Sequence, residues 1–153
     1  MTDAIDRAAG LSPEDARYAQ RRLRPEFVQG AEVCRASVLT PATDHALDPA
    51  LRVALARRMA LMNGDGTLAD QYAVGDDHAD VASGSIDLAE PLATIVRHVD
   101  MVTRAPLMAT ANDIATLEAA GLTHPQIVAL SELIAFVNFQ SRVVAGLRLM
   151  GAA

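Results

Sequence analysis

The segment from Asp48 to Met62 restricts the fold more than any other part of the chain, because apolar residues occupy most of its positions. Its sequence is DPALRVALARRMALM, followed by Asn63–Gly64. Asp48 is a typical N-cap residue, Pro49 suits the first position of a helix, and Asn63–Gly64 is a typical helix end. A helix that is apolar around most of its circumference needs protein on several sides. We therefore expect an all-α domain with this helix at its centre.

A second helix is expected directly after that turn. Asp65 can cap it, and the segment runs toward Tyr72 before Gly75 interrupts it. The two segments together predict a helix–turn–helix unit. Because the central helix and the last helix are apolar around most of their circumference, we also predict a homo-oligomer, a dimer or larger, that buries the excess apolar surface.

The composition fits one domain. The chain has 153 residues, of which 51% are hydrophobic and 3% aromatic. We expect one domain over 1–153, with helices in its N-terminal part, 1–44. A net charge of −6 argues against nucleic acid as a partner. The acidic N-terminus lacks a signal-peptide core and no apolar run is long enough to span a bilayer, so we expect a cytoplasmic protein without membrane contact.

Two helices are expected between residue 12 and the central helix. Ser12-Pro13 predicts the start of a helix that ends near Leu23, and Pro25 begins another that ends near Leu39. The arginines within 17–24 allow two interpretations, an anion site or a solvated, ion-paired face, and the second is favoured.

Cys34 is the only cysteine, so no disulfide can form within the chain. It shares the helical spacing of Phe27, Ala31 and Val38, which is typical of a buried face. We expect a structural core cysteine, because a thiol in apolar surroundings is inert.

The central helix carries three arginines, Arg52, Arg57 and Arg58, which point to different sides of the helix. At least one must then lie against protein and find a carboxylate or backbone carbonyls. Glu132 is a candidate partner.

The polar segment 75–85 is expected to be a mobile surface loop. Its Asp76, Asp77, His78 and Asp80 suggest a metal site, but their spacing fits neither zinc nor an EF-hand. A solvated acidic loop is favoured, and we predict no metal and no cofactor. The next helix should begin at Ser85 or Asp87 and end near Arg104.

The last helix should begin after Thr123 and end near Met150, preceded by a short helix whose start at Thr110 resembles a capping box. Ser131, Asn138 and Arg142 form one polar stripe on it. Either the stripe lines a ligand cavity, or it ties helix ends or subunits together; the second is favoured, since buried polar groups mostly serve structure.

Two stretches carry a resemblance to a known family. They are DPALRVALARRMALMNGDGTLADQY and TANDIATLEAAGLTHPQIVALSELIAFVNFQSRVVAGL. Both resemble the alkylhydroperoxidase D-like (AhpD-like) and carboxymuconolactone decarboxylase superfamily, in particular its "peroxidase-related" branch. The resemblance covers residues 45–150 and implies an all-α, oligomeric helical bundle.

The resemblance also implies where catalytic residues would lie. In the peroxidase branch the second helix begins with Cys-x-x-Cys-x-x-x-His, and a glutamate lies twelve residues upstream. Aligned at Asn63–Gly64, Asp65 and Leu68 occupy the cysteine positions, Tyr72 the histidine position and Val53 the glutamate position. All four differ from the family pattern, so the resemblance predicts the fold without the peroxidase chemistry.

Three functional hypotheses follow. The first is a non-catalytic member of the superfamily, an oligomeric binding module or the partner of a catalytic paralogue. The second is an enzyme that uses acid–base chemistry at Asp65, Asp70 or Tyr72, as the decarboxylase branch works without thiols. The third is a thiol enzyme that uses Cys34 alone, disfavoured because nothing near it in the sequence would activate the thiol.

Overall fold

The computed structural model describes residues 2–152, and all regular secondary structure in this range is helical. The all-α prediction is confirmed. A short 3₁₀ helix, Pro106–Met108, lies between the seventh and eighth α-helices. The α-helices are α1 Ala4–Ala9, α2 Ala16–Arg21, α3 Pro25–Leu39, α4 Pro49–Met62, α5 Gly66–Ala69, α6 Ala79–Ser83, α7 Leu92–Arg104, α8 Ala111–Ala119 and α9 His124–Ala152.

The central position of α4 is confirmed. It packs against α3, α5, α6, α7 and α9, and Leu55 and Met59 have no exposed surface. Its N-terminus is capped as the sequence predicts, since the Asp48 carboxylate accepts a hydrogen bond from the Ala50 amide at 3.0 Å. At the other end Gly64 has a φ of +73°, a conformation that suits glycine. The chain thus turns sharply between α4 and α5.

Three helix boundaries differ from the predictions. α2 begins at Ala16 with Asp15 as its N-cap, because Asp15 rather than Ser12 accepts a hydrogen bond from the helix, at the Arg17 amide. α5 has only four residues and does not reach Tyr72. α7 begins at Leu92, after Pro91.

The segment 75–85 is not a loop throughout, because it contains α6. Val81 and Ala82 of that short helix are buried and pack against α4. Among the described residues no three His, Cys, Asp or Glu side chains are grouped so that they could hold a metal ion. The His78 ring instead lies 3.2 Å from the Asp48 carboxylate.

The prediction of a buried central arginine is confirmed twice. Arg52 is 2% exposed and donates to the backbone carbonyls of Leu47, Val38 and Asp44 at 2.8–3.0 Å. Arg58 is 3% exposed and forms a two-bond pair with the Asp100 carboxylate, 2.7 Å for each bond. Such forked contacts match the geometry of guanidinium.

The N-terminal arginines form ion pairs that are more buried than the sequence predicts. Asp6 of α1 has no exposed surface, and its two carboxylate oxygens accept from Arg21 and Arg22 at 2.6 Å each. Asp3 lies 2.7 Å from Arg21. These contacts fasten α1 to α2.

The prediction of a buried Cys34 is wrong. The thiol is exposed, although Ala31 and Val38 on the same face of α3 are buried. Ala31 and Val38 thus face the core as the spacing predicts, whereas Cys34 on the same stripe does not. Phe27, at the start of the same stripe, is 59% exposed.

The last helix begins as predicted. The Thr123 amide and hydroxyl both donate to the Gln126 side chain, at 2.7 and 3.0 Å. Contrary to the sequence-based expectation, α9 has the length and composition of a membrane span: 29 residues and a mean hydropathy of 1.4 over its best window. Of that window, 61% is buried inside the domain. The core helix of a soluble protein meets the same criterion.

Candidate functional site

Asp65 lies at the turn between α4 and α5, and one oxygen of its carboxylate accepts three hydrogen bonds. The carboxylate is 5% exposed. Its Oδ1 atom accepts from the Leu68 amide at 2.9 Å, the Thr67 hydroxyl at 3.0 Å and the Arg148 guanidinium at 2.8 Å. Arg148 also donates to the Ala8 carbonyl at 2.7 Å. Asp65 therefore joins α5, α9 and α1.

The electrostatics of Asp65 follow from these contacts. Burial alone would raise the pKa of this carboxyl, but the hydrogen bonds from Arg148, the Leu68 amide and Thr67 outweigh it. The pKa of Asp65 is consequently held below its usual range. A carboxylate of this kind is a poor general base, because its charged form is already stabilised.

Tyr72 lies in the core, where its hydroxyl donates to Oε1 of Gln140 on α9. The phenol is 1% exposed and Gln140 has no exposed surface. Burial is the main reason that the pKa of Tyr72 is raised, a nearby Arg35 lowering it only in part. The hydroxyl therefore stays protonated at neutral pH.

Beside this pair lies a small cleft of about 320 Å³. Val53, Tyr72 and Gln71 form part of its wall, and so does Arg35 of α3. The Arg35 guanidinium lies 5.0 Å from the centre of the Tyr72 ring and donates to the Gln71 carbonyl at 2.6 Å. The structure thus brings together Val53 and Tyr72, two of the four positions singled out by the alignment at Asn63–Gly64.

The other two motif positions do not line that cleft. Leu68 is buried in the core with no exposed surface, and Asp65 faces Arg148. Asp70 is exposed, 3.4 Å from Arg57. The three carboxyl and phenol groups considered for acid–base chemistry therefore do not converge on one cavity.

The predicted polar stripe on α9 is not one unit. Ser131 donates to the Ile127 carbonyl of its own helix at 2.8 Å. Asn138 is buried and accepts from the Asn63 side chain at 3.1 Å, so it ties α9 to the α4–α5 turn as the structural interpretation predicts. Arg142 is exposed.

An apolar groove with a volume of about 590 Å³ lies between α3 and α9. Eleven residues line it, and most of the exposed lining is carbon. Its walls include Phe27 and Cys34 from α3, and Ala135 and Phe139 from α9. Phe136 at its base packs against Phe139, with ring centres 6.2 Å apart.

The charged side chains that line this groove are all acidic. Glu26 and Glu132 line it, and none of the described residues in its lining is basic. A cysteine thiol is usually activated by a neighbouring cation. The surroundings of Cys34 in the groove therefore do not include the side chains that a thiol enzyme would use.

Sequence reasoning missed Arg35, Gln140 and Arg148. Gln140 could have been found, because it lies seven residues after Leu133 on the most buried stripe of α9. A glutamine there needs a polar partner, and Tyr72 is that partner. Arg35 and Arg148 each bind a backbone carbonyl distant in sequence, which no local pattern indicates.

Comparisons with known proteins add no assignment: no family model matches the chain, and no curated protein matches it.

Proposed function

We propose that this protein is a non-catalytic, AhpD-like helical protein that self-associates and acts as a binding or partner subunit in the cytoplasm. One observation carries the proposal. The polar side chains of Asp65 and Tyr72 form hydrogen bonds within the fold, whereas the groove between α3 and α9 is apolar and open at the surface.

The contacts at the motif positions support the absence of catalysis. The Asp65 carboxylate forms an ion pair with Arg148, and the buried Tyr72 hydroxyl donates a hydrogen bond to Gln140. Leu68 and Val53 have no titratable group. A catalytic paralogue that keeps the Cys-x-x-Cys pattern is the partner that the family resemblance suggests.

Peroxide consumption in the presence of a dithiol reductant tests the proposal. We expect turnover at the background rate, because the cycle needs an activated thiolate and a second thiol to resolve the sulfenic acid. Cys34→Ser is the matched control. Turnover above background that vanishes in Cys34→Ser would support single-thiol chemistry in place of our proposal, and turnover that survives would indicate chemistry at Asp65, Asp70 or Tyr72.

Light scattering tests self-association separately. We expect a mass of at least twice 16.2 kDa at micromolar concentration. A mass of one chain under the same conditions would contradict the self-associating part of the proposal while leaving the absence of peroxidase activity untouched.

A further inference from the structure

The outer face of α9 carries an exposed stripe that runs along the groove. At 100° per residue its members fall within roughly a quarter turn of the helix. All of them are exposed in the single chain. The stripe consists of Val128, Glu132, Ala135, Phe139, Arg142 and Gly146.

The order of side chains along this stripe is reciprocal. Glu132 and Arg142 are ten residues apart, and the midpoint between them is position 137. The same midpoint relates Ala135 to Phe139, a small residue to a large one. It also relates Val128 to Gly146. Reversing the direction of the helix about this midpoint therefore exchanges Glu132 with Arg142. It also exchanges Phe139 with Ala135 and Val128 with Gly146.

We propose that a second copy of this chain covers the groove, with the two α9 helices antiparallel about a two-fold axis near position 137. In such a contact each residue faces the residue equally far on the other side of the midpoint. Glu132 of each copy then faces Arg142 of the other, and Phe139 of each faces Ala135. A parallel arrangement would instead place like charges opposite each other.

The groove supplies the second argument for this occupant. It holds two carboxylates and no basic residue among its described lining, so a suitable occupant brings a cation together with apolar surface. The α9 stripe of a second copy offers both, in Arg142 and Phe139. Phe139 has room beside Ala135, which forms part of the groove wall.

The exposed half of α3 fits the same contact. Phe27 and Cys34 belong to a stripe with the spacing of a buried face, yet they are exposed in the single chain. Both line the groove. A second copy on the groove would cover them and explain why this face of α3 is apolar.

This inference rests on the proposed self-association, and reciprocal charge reversal tests it on the full-length protein. Glu132→Arg alone places two arginines opposite each other at both ends of the contact, and Arg142→Glu alone does the same with two glutamates. We expect each to raise the dimer dissociation constant roughly tenfold or more, measured by sedimentation equilibrium. Arg104→Glu, an exposed reversal outside the stripe and the groove, is the control and should leave it unchanged.

Rescue distinguishes this geometry from any other dimer. The double variant Glu132→Arg/Arg142→Glu restores both pairs and should recover the wild-type dissociation constant within about threefold. An equimolar mixture of the two single variants should form a heterodimer, because one copy then carries two arginines and the other two glutamates.

Several outcomes would overturn the inference. A wild-type oligomer that no charge reversal weakens would show that another face is used, and would leave the proposed function intact. Weakening without rescue would contradict the antiparallel pairing. A monomeric wild type would contradict the proposed self-association itself, and with it this interface. If that monomer also binds the dye ANS and Ala135→Arg abolishes the binding, the groove holds a small apolar ligand instead.

Discussion

The α4–α5 turn and the α3–α9 groove use their side chains in opposite ways. At the turn, Asp65 accepts three hydrogen bonds, and the neighbouring Tyr72 pairs with Gln140 inside the core. In the groove most side chains are apolar, Phe27, Cys34 and Phe139 are exposed, and the two charged residues in the lining are Glu26 and Glu132. The turn has several polar side chains in sequence, but these are hydrogen-bonded within the fold. The groove instead exposes apolar side chains to solvent.

This contrast teaches that polar residues at a motif position are not evidence of a site until their partners are known. A buried polar group costs free energy unless it is paired, so its partner is normally found within the fold. The apolar side chains of an exposed groove, in contrast, are not covered by any partner within the fold. Exposed apolar surface of this kind commonly marks an interaction site.

The largest expected effect concerns the turn. Asp65→Ala removes the cap of α5 and leaves Arg148 without its carboxylate, so we expect a loss of about 2–3 kcal/mol in the free energy of unfolding. Urea denaturation measures this. Asp70→Ala, an exposed carboxylate in the same segment, is the control and should change stability by no more than about 0.5 kcal/mol. Equal effects of the two substitutions would remove the contrast between a satisfied turn and an open groove.

The pH dependence of the same variant pair isolates the charge. The folded-state pKa of Asp65 lies below its ordinary value of 3.8. The stabilisation by the carboxylate is therefore complete well above pH 3.8 and is lost as the pH falls through the lower, folded-state value. Asp65→Asn should thus differ from the wild type by a constant amount at neutral pH and converge with it in acid. A gap that persists at low pH would show that Asp65 acts through shape and not charge.

A smaller effect is expected at Tyr72. Tyr72→Phe leaves Oε1 of Gln140 unpaired in the core, where its Nε2 atom already has no partner among the described residues. We expect the free energy of unfolding to fall by about 1–2 kcal/mol, measured by thermal unfolding. Tyr72→Phe/Gln140→Leu removes both polar partners and should recover part of that loss. A neutral Tyr72→Phe would mean that the phenol is not held by Gln140 and is free for the adjacent cleft.

How far the sequence predicts this structure depends on the range of the contacts involved. The caps at Asp48, Thr110 and Thr123 are local, and the structure forms each of them. The length of α5 and the exposure of Cys34 are set by which elements pack nearby, which periodicity alone does not determine.

The candidate site divides in the same way. The sequence indicated that Asp65 would cap a helix and that a central arginine would be buried, because both follow from unsatisfied local groups. It did not indicate Arg148 as the partner of Asp65, 83 positions away. It also placed Arg142 in a polar unit with Asn138, whereas the structure separates an exposed guanidinium from a buried amide.

The smallest expected effect is at Arg142, and it separates the fold from the proposed interface. No hydrogen bond or ion pair joins this side chain to another residue within 2–152. Arg142→Ala should therefore change the unfolding free energy of the monomer by no more than about 0.5 kcal/mol, measured at protein concentrations below the dimer dissociation constant.

Above that constant the wild type gains stability from association, and the variant should gain less because each dimer has lost two ion pairs. Melting curves over a dilution series test both parts. A loss above about 1 kcal/mol at the lowest concentration would show that Arg142 has a partner within its own chain, and the stripe would then serve the fold and not the second copy.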